Sequence, residues 1–503
     1  MSTTSTIETT MPTSPVARRA GVFTALLLAA AALTLNGCLP QQLVIWSPDG
    51  AHAVVLDANS SSLCDSGGKL TRLDVGTVMA AAWLPSSKQV LLAVQKSAAK
   101  WSDLAAVLDK PTADAAIAAA GDFEKALSAT PADKELSDED GKRIMKDVFE
   151  HRGNLIAASV AYLRDNRPDV LRKRLDEGKW KVVATTATTY TQLAVHDLDG
   201  ESLKPGTVVL NRLKNIVGLR LSPSGKAVAF VIGSDRIENS FALWVVPLAA
   251  GARPMEVADQ VAVYPDWSAD GQSLAYIHAT ARPQEGSNSP VLLGTLATCR
   301  VADASGALLA EPEVAQARAG LLFAETLAVR FLPNGQILFA AAQVTLPATA
   351  PDMPQRVTLL AFDPARPATL TRMVPRHAEE ELPPQMLFDL SPDGTQVSIA
   401  GDDARVCVLT LAGADYQWVQ NEKGKLQMLP SWRKAGELCF VIPPVKDSKK
   451  PAQVAIWSAG KTQVISADWP ENVLENLSFT GSAKSDKPSP ASQGNAAPAG
   501  GAK

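Results

Sequence analysis

One short motif recurs along the chain and limits its possible folds more than any other feature. An apolar residue leads into a tight turn at Trp46-Ser47-Pro48-Asp49-Gly50, and again at Trp83-Leu84-Pro85-Ser86-Ser87. The motif returns at Leu221-Ser222-Pro223-Ser224-Gly225, Trp267-Ser268-Ala269-Asp270-Gly271 and Phe331-Leu332-Pro333-Asn334-Gly335. Two further copies are Leu390-Ser391-Pro392-Asp393-Gly394 and the degenerate Trp432-Arg433-Lys434-Ala435-Gly436. Pro-Asp-Gly makes a turn because Pro fixes φ, Asp bonds nearby backbone, and Gly takes positive φ without steric cost. Pro48, Asp49, Gly50, Pro223, Gly225, Asp270, Gly271, Pro333, Gly335, Pro392, Asp393 and Gly394 are therefore read as structural turn residues. On the same ground Asp49, Asp270 and Asp393 serve the turn rather than a metal.

Each copy is followed by a short β-branched or alternating run, such as AHAVVLDA after Gly50, KAVAFVIG after Gly225 and ELCFVIPP after Gly436. These runs predict strands. A further strand follows in QLAVHDLDG, ALWVVPLAAG and VCVLTLAGAD. The first residues of successive motifs lie 37, 138, 46, 64, 59 and 42 positions apart. Three of these intervals, 37, 46 and 42, approach the roughly 40–45 residues of a four-stranded propeller blade. The repeat resembles the Asp-Gly turn repeats of TolB-like and WD40-like β-propellers over residues 41–480, apart from one insertion. The resemblance implies an all-β chain of seven four-stranded blades closed into a ring, because radial repetition leaves only short, protected edges. Closure is expected to pair Gln42–Trp46 with a strand of blade seven, either Gln453–Trp457 or Val473–Phe479.

The interval of 138 exceeds one blade by roughly 95 residues, and its composition changes. Residues 101–178 are rich in Ala, Leu, Lys, Asp and Glu. Thr130-Pro131-Ala132-Asp133 and Ser137-Asp138-Glu139-Asp140 read as helix starts. Ile144, Val148, Ile156, Val160 and Leu163 form a stripe at helical spacing, interrupted at Gly153-Asn154. Three or four helices inserted in blade two are predicted, either as a cap on the propeller or as a docking element. Residues 481–503 are rich in Ser, Pro, Ala and Gly and are expected to be disordered.

The N-terminus carries a different message. Arg18 and Arg19 precede an uncharged run from Ala20 to Leu35, too short for the roughly 20 residues of a spanning helix. A basic patch before a short apolar core marks a secretory signal peptide. Leu35-Asn36-Gly37-Cys38 resembles the lipobox of bacterial lipoprotein signals, which implies cleavage before Cys38, lipid on its thiol, and a signal peptide over residues 1–37. The translation start is Met1 or Met11. Leu39 is not the Asp that typically holds such proteins at the inner membrane, so the expected place is the cell envelope, at the outer membrane facing the periplasm in a Gram-negative cell.

Charge and cysteines set further bounds. With 48 Lys and Arg against 52 Asp and Glu the net charge is −4, and no basic run suits nucleic acid. Beyond Cys38 lie Cys64, Cys299, Cys407 and Cys439, with no CxxC pair. They read as small buried hydrophobes, with Cys407 and Cys439 as the pair to test for a disulfide in an oxidising compartment.

Catalytic signals are sparse. There is no G-x-S-x-G elbow, no phosphate-binding loop, and His52, His151, His196, His278 and His377 fall in five separate segments. Asp197 and Asp199 form a tight acidic pair in a segment that matches a blade turn. No metal and no cofactor are expected. The sequence favours a non-catalytic, lipid-anchored scaffold or assembly subunit that binds the membrane through its anchor and another envelope protein through its surface. The alternative is a propeller hydrolase or lyase acting on envelope glycans or peptides.

Overall fold

The computed structural model describes residues 44–469, except 57–60, 130–137, 151, 234–240, 262–263, 283–290, 324–327, 342–357, 368–369, 375–386, 401–404, 414, 420–427, 443–451. Within it the chain is a seven-bladed β-propeller: seven antiparallel sheets, each built from strands consecutive in sequence. Blades one to seven span Val44–Arg72, Thr77–Arg212, Ile216–Asp259, Asp266–Phe323, Val329–Arg372, Leu387–Trp418 and Met428–Trp469. Six sheets have four strands and blade two has five. Its third strand, Thr188–Asp199, outruns its neighbours. The far end therefore pairs with the two-residue strand Ser202–Leu203, about Gly200 at φ +61°, before Thr207–Arg212 completes the blade.

In every blade the motif joins the first strand to the second. The Asp-containing copies share one hydrogen-bond pattern. Ser47 Oγ donates to Asp49 Oδ1 at 2.6 Å while accepting from His52 N, and Asp49 Oδ1 also accepts from Ala51 N. Ser268 with Asp270 and Ser391 with Asp393 repeat it. Gly50, Gly225, Gly271, Gly335, Gly394 and Gly436 all have φ between +67° and +82°. In the degenerate second copy Ser87 holds the same left-handed conformation at φ 60°.

The turns also stack on one another around the ring. A Cβ built on Gly225 would stand 2.7 Å from Cδ of Pro85 in the preceding turn, and one on Gly394 would meet Pro333 more closely still. Glycine is required there for two reasons at once, positive φ and the proline ring pressed against it.

Among the described residues, closure uses no shared strand. Val44–Trp46 pairs with His52–Val55 inside blade one. Gln453–Trp457 lies in the interior of the blade-seven sheet, between two strands of its own blade, so it has no free edge for the N-terminal strand. Val473–Phe479 is outside the described residues. The seam between blades seven and one is made by faces and by Arg433. Its Nε donates to Gly50 O at 2.8 Å, and its guanidinium lies 5.3 Å from the centre of the Trp46 ring. Beneath it Trp46, Leu63, Cys64, Cys439, Val441 and Val454 share one buried cluster.

The helical segment leaves blade two between its second strand, Gln89–Ala98, and its third. Antiparallel strands alternate ends, so this connection emerges on the face opposite the motif turns. It comprises α1 (Trp101–Val107), α2 (Lys110–Ser128), α3 (Asp138–Phe149), a 3-10 turn at Gly153–Leu155, α4 (Ile156–Asn166), α5 (Pro168–Arg172) and α6 (Glu177–Thr185). Helices thus continue past Gly178, which is the second residue of α6. Asp176 caps that helix by accepting from Lys179 N, as Asp109 caps α2 through Thr112 N. The segment has its own core, including Leu104, Phe123, Leu127, Ile144, Val148 and Leu163.

Two outcomes follow for stability. Gly394→Ala should lower the unfolding free energy by more than about 1 kcal/mol. Gly335→Ala, with positive φ but nothing within 4 Å of its Cβ position, should cost less in the same urea titration. Arg433→Ala should cost about 2 kcal/mol, since it removes both a charged hydrogen bond and a cation–π contact.

Candidate functional site

The residue immediately before each motif lies on the first, innermost strand of its blade. Going round the ring these residues are Ile45, Ala82, Arg220, Asp266, Arg330, Asp389 and Ser431. In blades three to six the charge alternates, and the first three of these side chains reach forward to the next blade. Arg220 Nε donates to Asp266 Oδ1 at 2.7 Å, and Asp266 Oδ2 accepts from Phe331 N at 2.8 Å. Arg330 Nη2 meets Asp389 Oδ1 at 3.3 Å. The motif's own Trp reaches backward. Trp83, Trp267 and Trp432 donate Nε1 to the carbonyls of Ile45, Arg220 and Asp389 at 2.8–3.1 Å. Blade four shows both ties on one strand, Asp266 reaching forward and Trp267 backward from adjacent positions whose side chains point to opposite faces.

Arg220 and Arg330 border a small cavity that is open to solvent, together with Ile45, Ala81, Leu219, Tyr264 and Pro265. Its lining runs from the residues before the motifs toward the start of the first strands, so it opens on the face that carries the helices. Arg330 is 3% exposed, whereas Arg220 keeps 32% of its side-chain surface. Burial and the nearby Arg220 charge hold the Arg330 guanidinium below its ordinary pKa, against the pull of Asp389 and Asp266. Arg220 is raised: burial opposes its charge, but Asp266 and Asp389 outweigh it. A guanidinium keeps its proton in either case.

The other sequence candidates are distributed around the molecule. The turn residues from Pro48 to Gly394 lie on the opposite face from the helices, and their aspartates are occupied within the turns. Ser268 and then the Gln272 amide hold the Asp270 carboxyl below its ordinary pKa. Leu35, Asn36, Gly37 and Cys38 lie outside the described residues, as do His151 and His377. His52 stacks at 6.4 Å on Trp83, His196 Nδ1 is 3.0 Å from Lys204 O, and His278 sits mid-strand in blade four. Asp197 accepts from Gln89, and Asp199 pairs with Lys204. Cys64, Cys299, Cys407 and Cys439 are free thiols. Cys407 and Cys439 belong to separate buried clusters, and burial pushes each up to about 12. Among the described residues no three His, Cys, Asp or Glu groups stand together as metal ligands would. The Arg-Asp quartet is the feature that motif counting missed. Aligning the copies one residue further upstream exposes it.

Neither a protein-family model nor a curated protein matches this sequence. Solved structures similar to it include Pyrococcus horikoshii acylaminoacyl peptidase (12% identity, TM-score 0.34), covering 56% of this chain and 42% of the peptidase. The chain therefore spans less than half the length of that enzyme. An oligogalacturonate lyase in complex with manganese is 10% identical over 86% of this chain and 89% of its own, with TM-score 0.40. The β-propeller domain of Myceliophteria thermophila Cps50 (Swd1) is 10% identical over 83% and 96%, with TM-score 0.39. At these identities and scores the likenesses contribute nothing to the assignment of a function, and the fold rests on the seven sheets themselves.

Proposed function

We propose that this protein is a lipid-anchored propeller of the cell envelope that serves as a non-catalytic scaffold or assembly subunit, with the helical insertion as its docking element for another envelope protein. The observation that carries this reading is how the insertion is attached. Its two roots are Ala98 and Thr188, which are register partners at the open end of a ten-pair β-hairpin. The roots are therefore already at strand-pairing distance, about 5 Å apart, and the ring closes without the helices. Arg164 holds the roots from the helical side, donating to the carbonyls of Ala99 and Thr186, each at 2.6 Å. The helices supply their own core, so they stand on the propeller as a second folded body. The last of them, α6, packs Trp180 and Val183 partly against the helical core and presents Val182 to solvent at 40% exposure. An exposed apolar residue on a helix that stands clear of the ring is suited to meeting a partner.

The membrane anchor in this reading rests on Leu35-Asn36-Gly37-Cys38. In cells, Cys38→Ala should abolish labelling by a palmitate analogue and leave uncut precursor. Unchanged labelling would remove lipidation from the account.

Replacing Ala99–Ala187 by a short Gly/Ser linker should yield a folded propeller, because the strands it joins are already neighbours and loop closure costs little. Thermal melting tests the fold, and pull-down from native membranes beside the intact protein tests binding. Loss of the main partner with the melt retained is the expected result. Retention of the same partners by the shortened protein would place binding on the propeller itself.

A further inference from the structure

The two channel arginines have binding capacity that the protein does not use. Arg220 donates only Nε, to Asp266, and among the described residues neither of its Nη nitrogens has a hydrogen-bond acceptor. Arg330 is 97% removed from solvent, given its 3% exposure. It spends Nη1 on the adjacent Val329 carbonyl and Nη2 on a 3.3 Å contact with Asp389, while its buried Nε has no partner. The carboxylate that could do more for either arginine is committed, since Asp266 uses one oxygen on Arg220 and the other on the Phe331 amide. Two guanidiniums that repel one another thus flank one cavity with donor positions open. A planar guanidinium fork matches the two oxygens of a carboxylate. The remainder of the wall is mostly apolar, including Ile45, Ala81, Leu219 and Pro265, with Tyr264 beside them. Sites of this composition hold a ligand's body by apolar contact and orient it through a few polar groups.

We propose that the axial channel binds a small monocarboxylate, its head on the free Nη edge of Arg220 in the field of Arg330, and its short apolar body against Ile45, Ala81, Leu219 and Pro265. A single carboxylate is the size of group that the one free fork edge, on Arg220, can take. The site is separate from the helical docking element, so the two readings stand or fall independently.

The test uses the full chain in detergent micelles, with thermal melting followed against butyrate, butyramide and inorganic phosphate at constant ionic strength. Butyrate should raise the midpoint saturably, and butyramide, which has the same shape without the charge, should not. Arg220→Lys keeps a cation beside Asp266 but lacks the fork, and should shift half-saturation to roughly tenfold higher butyrate. Equal stabilisation by phosphate would overturn the apolar seat. No saturable rise, an equal rise with butyramide, or an unchanged response in Arg220→Lys would overturn the site. If Arg220→Lys does not fold, equilibrium dialysis of labelled butyrate with the unaltered protein decides. Displacement by unlabelled butyrate but not by butyramide supports the site, and any other result overturns it.

Discussion

Seven sheets that share no strand must be held in a ring by what passes between their first strands. Here that work is divided between two levels. At one face the glycine of a turn sits against the proline of the preceding turn, as Gly225 does on Pro85. Deeper in, the residues on either side of the strand-turn junction reach in opposite directions, Arg220 forward to Asp266 and Trp267 back to the Arg220 carbonyl. Both devices need a repeat of fixed register, so a one-residue slip in any first strand would turn its stitching groups to the wrong neighbours. The seam between blades seven and one is joined otherwise: Trp46 bonds no carbonyl of blade seven, and Arg433 bridges the gap to Gly50.

The fold was legible because the turn is chemically explicit. Pro, Asp and Gly each act locally, so seven copies announce seven strand-turn-strand units before any tertiary contact is known. The charge quartet was far less visible. Arg220, Asp266, Arg330 and Asp389 lie in separate segments, and each alone looks like an ordinary polar residue before a turn. Only the ring brings them together. Arg433 was hidden for the same reason. It makes the seventh copy look degenerate, yet its side chain replaces the stitching that the seam lacks. Gln453–Trp457 drew the closing role because sequence shows a run of β-formers without showing whether its edges are taken, and both of its edges are paired within blade seven; Val473–Phe479 lies outside the described residues. Cys407 and Cys439 looked like possible partners as neighbours in sequence order, but strands from two different blades carry them into different cores.

The helical insertion and the channel mouth share a face. That follows from strand direction alone, since the first strand of every blade begins on the side where the second one ends. The opposite face is committed to turns packed glycine on proline, with the turn aspartates engaged. The molecule therefore has one face built for holding itself together and another on which side chains and inserted segments are free to vary.

Closure without a shared strand also bears on how the ring is made. When the first and last segments of a chain must build one sheet, the first strand waits unpaired until synthesis ends. Here Val44–Trp46 can find His52–Val55 as soon as a few more residues have emerged, and each later blade can form from contacts close in sequence, the arrangement that favours rapid, unit-by-unit folding. The delay falls instead on a surface. The side of blade one that carries Trp46, Ala53 and Cys64 has no cover until blade seven arrives. During that interval it is the apolar face most exposed to the wrong neighbour, including blade seven of another copy.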